Sequence, residues 1–190
     1  EIDNELLDIW KSNSRLCPHF HLPLQSGSDQ ILKKMRRRYS SNEFIQITSM
    51  IKKYLPQASI TSDVIVGFPS EKEEDFENTL DAIKKSKLNN LHVFPYSVRP
   101  KTTAFYLKDH NSPEIIKSRS RELNRISKLI TAKSMKNIIG KERSILWEGK
   151  NMQSGLTEDY YRVIRKSKKL PNEFISKQKI KGLEKDKLYI

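Results

Sequence analysis

With one cysteine, Cys17, among 190 residues, the chain can form no intrachain disulfide and no multi-cysteine metal centre from its own residues. Long apolar runs are equally scarce. The stretches Ile60 to Phe68 and Leu91 to Tyr96 fall far short of the roughly 20 residues a membrane helix needs, and the start Glu1-Ile2-Asp3-Asn4 does not have the character of a signal peptide. The expectation is therefore a cytoplasmic protein with no membrane partner. Only six glycines are present, and neither an internal repeat nor a low-complexity segment appears. Acidic residues are outnumbered, 23 Asp+Glu against 36 Lys+Arg, for a formal charge of +13. That balance favours a polyanionic partner such as nucleic acid, with a lysine-rich solvated face as the bland alternative. The excess is densest at the end, with 13 Lys+Arg against 7 Asp+Glu from Gly140 to Ile190. Hydrophobic residues make up 36%, enough for the core of one medium domain with a small appendage.

Periodicity orders the chain. Leu6, Leu7 and Trp10 recur at helical spacing, and Pro18 precedes a strand-like run through Leu24. Ser28-Asp29 starts a helical segment. Ser41 can cap a longer helix that carries Phe44, Ile45, Ile47, Thr48 and Ile51 and stops at Pro56. Ser59 to Phe68, rich in β-branched residues, reads as a strand buried on both faces near its end, stopped by Gly67 and Pro69. Glu71 to Ser86 reads as a helix with acids in its first turn, Glu71 among them, and Lys84 and Lys85 in its last. Leu91 to Ser97 is another strand. Strands alternating with crossover helices predict a parallel sheet. Pro113 opens a long basic helix over about 112–139, which reads as a connector. From Gly140 on, short runs separated by Gly149, Gly155 and Pro171 predict a small antiparallel barrel, with Lys166 to Lys169 as a basic loop. The division expected is 1–139 and 140–190.

His19 and His21 share a strand face and, with His92, tempt a metal assignment. Spacing signals no third ligand, so no metal site is expected. Cys17 reads as a small buried residue. Tyr96 and Arg99, near a strand end, suit a substrate opening. Tyr160, Tyr161, Arg162, Arg165 and Lys166 interleave rings with cations, the combination that stacks bases and neutralises phosphates, although half of those aromatics must face a core.

Three phrases, HLPLQSGSDQILKKMRRRY, ITSDVIVGFPSEKEEDFENTL and LHVFPYSVRPKTTA, occur in order. Together they resemble the second half of a radical S-adenosylmethionine methylthiotransferase, and HVFPYS resembles most the branch acting on threonylcarbamoyladenosine in tRNA, called MtaB. GKERSILWEG and GLTEDYYRV resemble the TRAM domain, a small RNA-binding barrel. The fold this implies is α/β: the C-terminal part of an open parallel (β/α) radical-SAM barrel, followed by a small all-β antiparallel TRAM-like barrel. The chain departs from the family pattern at Arg36, where Asn is usual, and at Ser70 and Lys101, where Gly is usual. The cysteine triplet that holds the family's iron–sulfur cluster is not in this chain, so no catalytic residue is assigned and the chain alone is expected to be inactive. Its implied partners are tRNA and the N-terminal domains of the same polypeptide.

The resemblance also implies roles. Ligands of such barrels meet the carboxyl ends of strands, where turn amides and helix amino ends converge. Gln25 and the Ser26-Gly27-Ser28 amides are thus expected to face S-adenosylmethionine, with a turn cap as the alternative for Gln25 and a helix cap favoured for Asp29. Arg37 would fork onto the cofactor's carboxylate, and Asp63 would take the ribose hydroxyls or, alternatively, a salt bridge. Gly67 would let backbone pass close to the adenine, and Phe94 would contact the cofactor or simply fill core. Two rival functions stay open: a non-catalytic RNA-binding module, and an ordinary α/β barrel enzyme whose turn at Gln25 binds phosphate. Within the family, the isopentenyladenosine and ribosomal-protein branches remain alternatives.

Overall fold

The computed structural model describes residues 2–167, 171 and 173–190. The first helix, α1 (Asn4–Ser12), begins where the Asp3 carboxylate caps the Leu6 amide at 2.9 Å. Strand β1 (His19–His21) leads through the Gln25 turn into α2 (Asp29–Lys34) and α3 (Ser41–Tyr54). The cap of α3 is Ser40, one residue before the expected Ser41, and it forms a reciprocal capping box with Glu43. Strand β2 (Ser59–Val66), α4 (Glu73–Lys85), β3 (Asn90–Pro95), a short 3₁₀ turn (Thr103–Tyr106) and the long α5 (Pro113–Lys136) follow.

Strands β1, β2 and β3 form a parallel sheet in that order. Alternation sorts β2 into two faces. Ile60, Ser62, Val64 and Val66 are buried on the helix-covered side, whereas Asp63 and Ile65 on the other side are only partly covered. The expectation of burial on both faces near the strand's end therefore holds on one face alone. The helix side gathers Phe20, Leu24, Phe44, Ile51, Phe76, Ile83, Leu91 and Leu123 into one core, each such side chain contributing about 1.5–3 kcal/mol on leaving water.

A second sheet has the order β7-β4-β5-β6-β9-β8, built from β4 (Glu142–Glu148), β5 (Ser154–Thr157), β6 (Arg162–Ile164), β7 (Ile175–Lys179), β8 (Gly182–Glu184) and β9 (Lys187–Tyr189). It is mixed, not purely antiparallel, because β6 and β9 run parallel. Its core is Ile145, Trp147, Tyr161, Val163, Ile180 and Leu188. Gly155, expected to break the chain, lies inside β5, where a Cβ would stand 2.5 Å from Ile145 Cγ2. The expected basic loop extends onto Lys168 and Lys169, which lie outside the described residues.

Asn89 ties the sheets together. Its Oδ1 accepts from Lys52 Nζ at 2.8 Å and the Ile60 amide at 3.0 Å, while its Nδ2 donates to Ser134 Oγ at 3.3 Å and the Tyr161 hydroxyl at 3.1 Å.

The three positions that depart from the family pattern all have left-handed backbone: Arg36 at φ 57°, Ser70 at φ 66° and Lys101 at φ 66°. Arg36 closes α2 in a Schellman motif, since its amide donates to Lys33 O at 3.0 Å and the Arg37 amide to Leu32 O at 2.9 Å.

Candidate functional site at the carboxyl ends of the parallel strands

Past the end of β1, the Gln25 amide donates to Asp63 O at 2.8 Å and Gln25 O accepts from the Ile65 amide at 2.9 Å. This pins Gln25 to the middle of β2 with φ 63°, a strained backbone held by its neighbours. The turn that follows does not present free amides. Ser26 N donates to Leu24 O, Gly27 N to Thr79 Oγ1 at 2.9 Å, and Ser28 N to Ser26 Oγ at 3.2 Å. Gly27 presses on α4, where a Cβ would meet Asn78 O and the Thr79 Cα at 2.5 Å. The polar turn therefore docks a helix, and Ser26, fully buried, points to that contact. Ser28 caps α2 and its hydroxyl donates to Asp75, whereas Asp29 caps not α2 but α3, accepting from the Ser41 amide at 2.7 Å.

A cavity of about 390 Å³ opens at this end, lined by Gln25, Asp63, Ile65, Phe94, Tyr96 and Arg99 among others. Arg37 reaches its rim by donating from Nη2 to Gln25 Oε1 at 3.1 Å. Phe94 is half exposed. The Tyr96 hydroxyl is buried with no hydrogen-bond partner among the described residues, and burial raises its pKa above the ordinary tyrosine value. Gly67 lies outside the cavity. Its amide donates to Glu71 Oε2 at 2.7 Å, and Ile116 of α5 covers its Cα, where a Cβ would stand 2.3 Å from Ile116 Cγ1.

Glu71 also departs from its expected place. It precedes α4 and is buried against Arg119 of α5, with Nη1 to Oε2 at 2.7 Å and Nη2 to Glu73 Oε2 at 2.9 Å. Burial pushes the Glu71 carboxyl up, opposed by the Gly67 amide and the Arg119 guanidinium. No periodicity announces this latch, because its partners are 48 residues apart.

On the open face of the sheet, His21 Nε2 stands 3.1 Å from Asp63 Oδ2, and His21 Nδ1 stands 2.9 Å from Thr61 Oγ1. His19 shares that threonine at 3.1 Å and stacks on Tyr160 with ring centroids 4.0 Å apart. His92 joins His21 and Asp63 so that one ligand atom from each lies within 4.8 Å of the others. Spacing within one strand did not signal this grouping, because its carboxylate comes from the neighbouring strand β2. Cys17 is exposed, not buried, on the segment before β1 and hence at the opposite end of that strand from Gln25.

The residues singled out in the second sheet do not converge. Arg162 pairs with Glu148, and Lys166 pairs with Glu184 at 2.6 Å with its ammonium over Tyr189. Arg165 is buried, donating to Asn151 O at 3.1 Å beside the Trp147 ring. Tyr161 is core, and Tyr160 gives one ring face to His19.

The Radical SAM superfamily model matches residues 1–83. The threonylcarbamoyladenosine tRNA methylthiotransferase MtaB of Thermotoga maritima is 37% identical over 163 residues, covering 85% of this chain and 38% of that protein. The tRNA-2-methylthio-N(6)-dimethylallyladenosine synthase of Thermodesulfovibrio yellowstonii is 38% identical over 157 residues, covering 83% of this chain and 36% of that protein. The chain matches the C-terminal part of the radical SAM methylthiotransferase family. It spans somewhat more than a third of the length of these two relatives. Among the described residues, no helix is long and apolar enough to cross a membrane.

Proposed function

We propose that this chain is the later β/α part of a radical S-adenosylmethionine barrel, residues 1–139, joined to a TRAM-like RNA-binding unit, residues 140–190. In this reading the whole protein adds a methylthio group to the adenine ring of threonylcarbamoyladenosine beside the anticodon of a cytoplasmic tRNA. The observation that carries it is the convergence of Gln25, Asp63, Phe94, Tyr96 and Arg99 on one cavity, with Arg37 at its rim.

S-adenosylmethionine fits this donor set. The Arg37 guanidinium offers a fork for a carboxylate, and Gln25 and Asp63 offer an amide and an acceptor for hydroxyls. The half-exposed Phe94 ring offers an apolar face. When bound, the cofactor supplies both the radical and the methyl group. The chain's own residues bind and orient it. An iron–sulfur cluster does not fit the residues present, because Cys17 is a single thiol at the far end of β1. The cluster ligands therefore belong to the N-terminal domains of the same polypeptide, and this chain by itself is inactive. Ser26 and Gly67, with their side-chain and Cα positions committed to α4 and α5, support the cavity from outside it.

The HVFPYS phrase, residues 92–97, supports the threonylcarbamoyladenosine branch. A second reading, the dimethylallyladenosine branch, draws equal support from the 38% identity to a synthase of that name. Contact with tRNA by the second unit draws on its charge and on the exposed Arg162 and Lys166. Arg37→Ala in the intact enzyme tests the pocket. S-adenosylmethionine affinity measured by calorimetry is expected to fall about tenfold or more, as for loss of a charge-assisted pair. Unchanged affinity would remove Arg37 from the site.

A further inference from the structure

The open face of the parallel sheet carries a cluster that adjoins the cavity and shares only Asp63 with it. His21, Asp63 and His92 come from three adjacent strands, and the parallel register places Asp63 directly opposite His92. A ligand atom from each lies within 4.8 Å of the other two. We propose that these three side chains are the protein ligands of a site for a divalent first-row transition ion.

Three features of the geometry support it. Two imidazoles and one carboxylate form a donor set for such ions, and three protein ligands leave coordination positions open. Ligands about 2.1 Å from a metal lie roughly 3 to 3.5 Å from each other, and the His21–Asp63 pair is already at 3.1 Å. Closing the triad then needs only a small movement of His92, which is exposed and free of the helix-side core. Finally, His21 can become a ligand with its ring in place. Its Nδ1 stands 2.9 Å from Thr61 Oγ1 and its Nε2 3.1 Å from Asp63 Oδ2; an ion that displaces the Nε2 proton leaves the ring protonated at Nδ1, where Thr61 Oγ1 can accept that hydrogen bond. The triad is open to solvent, with His21 and Asp63 side chains 43% and 26% exposed, so an ion can enter. The site is distinct from thiolate-bound iron–sulfur chemistry. Asp63 shares its carboxylate between the triad and the wall of the cavity, which places the ion next to whatever that cavity holds.

The test uses the 190-residue chain, free of any polyhistidine tag and stripped with chelator, titrated with Co²⁺ and followed by visible d–d absorption. One equivalent is expected to bind and to be displaced by Zn²⁺. His21→Ala, Asp63→Asn and His92→Ala are each expected to weaken binding about tenfold or more, and His110→Ala, on a histidine outside the triad, to leave it unchanged. The unsubstituted chain gives an independent readout that needs no variant to fold. Zn²⁺ should shift the Nε2 resonance of His21 in long-range proton–nitrogen spectra while its Nδ1 remains unmetallated. Absence of stoichiometric uptake, equal loss in His110→Ala, or metallation at His21 Nδ1 would each overturn the proposal.

Discussion

Replacing Arg36 with Asn and both Ser70 and Lys101 with Gly should stabilise the parallel-sheet part of the protein. Each residue has left-handed backbone at φ 57° to 66°, where a side chain with a Cβ costs about 1–2 kcal/mol. Glycine relieves that strain but loses about 0.5–1 kcal/mol through the greater freedom of the unfolded chain, leaving a net gain of roughly 0.5 kcal/mol per glycine. Asn tolerates the same region without that loss, so Arg36→Asn is worth about 0.5–1 kcal/mol. Little else is sacrificed. Arg36 and Lys101 are exposed, and the Ser70 hydroxyl makes only a long 3.4 Å bond to Lys108 O. The sites share no partner, so the gains should add to about 1.5–2 kcal/mol, or roughly 3–8 °C in Tm for a chain of this size. Urea denaturation followed by circular dichroism measures it, with Gly67→Ala as the opposing control. That change places a Cβ on a residue at φ 76° and 2.3 Å from Ile116, and should destabilise by more than about 2 kcal/mol. A triple variant no more stable than the parent would refute the strain argument.

Further outcomes follow from the buried polar groups. Arg119→Met should cost about 3–5 kcal/mol in urea titrations, because it strands Glu71 in the core beneath α5; a loss under 1 kcal/mol would mean that the latch is not made in solution. Lys52 has its pKa lowered to about 8, by burial first and then by Lys87. The unfolded chain keeps that proton up to about pH 10.5, so between pH 8 and 9.5 the unfolded state binds more protons and stability should rise with pH. Lys52→Met should flatten the rise, and an unaltered slope would assign it to other groups. Deleting the segment after Gly140 from the intact enzyme should lower the salt dependence of tRNA binding, whereas equal slopes with and without it would count against phosphate contacts there.

The order of helices and strands was legible because each carries local signals: the Ser28 cap, the acidic first turn of α4, and the β-branched run of β2. The cavity was legible only in part. Gln25, Asp63 and Phe94 were named through resemblance and Tyr96 and Arg99 from their place near a strand end, and the sequence could not show that the Ser26-Gly27-Ser28 amides are already spent on Leu24, Thr79 and Ser26 itself. A polar turn looks the same whether its donors face a ligand or a neighbouring helix. Glu71 misled for a related reason, since an acid two residues before a helix matches a dipole partner unless the arginine 48 positions later is known to return to it. The His21–Asp63–His92 cluster was hidden because periodicity within one strand cannot register a side chain supplied by the next. In the second sheet, the alternation that identified β4 said nothing about the parallel β6–β9 pair, which depends on a long return of the chain.

Asn89 has a consequence for the way the two sheets move. One carboxamide binds the start of β2, the end of α3, α5 and the hydroxyl of Tyr161, so sliding the second sheet over the first would strip a half-buried amide of partners on both sides at once, a cost that couples the two sheets through a single side chain.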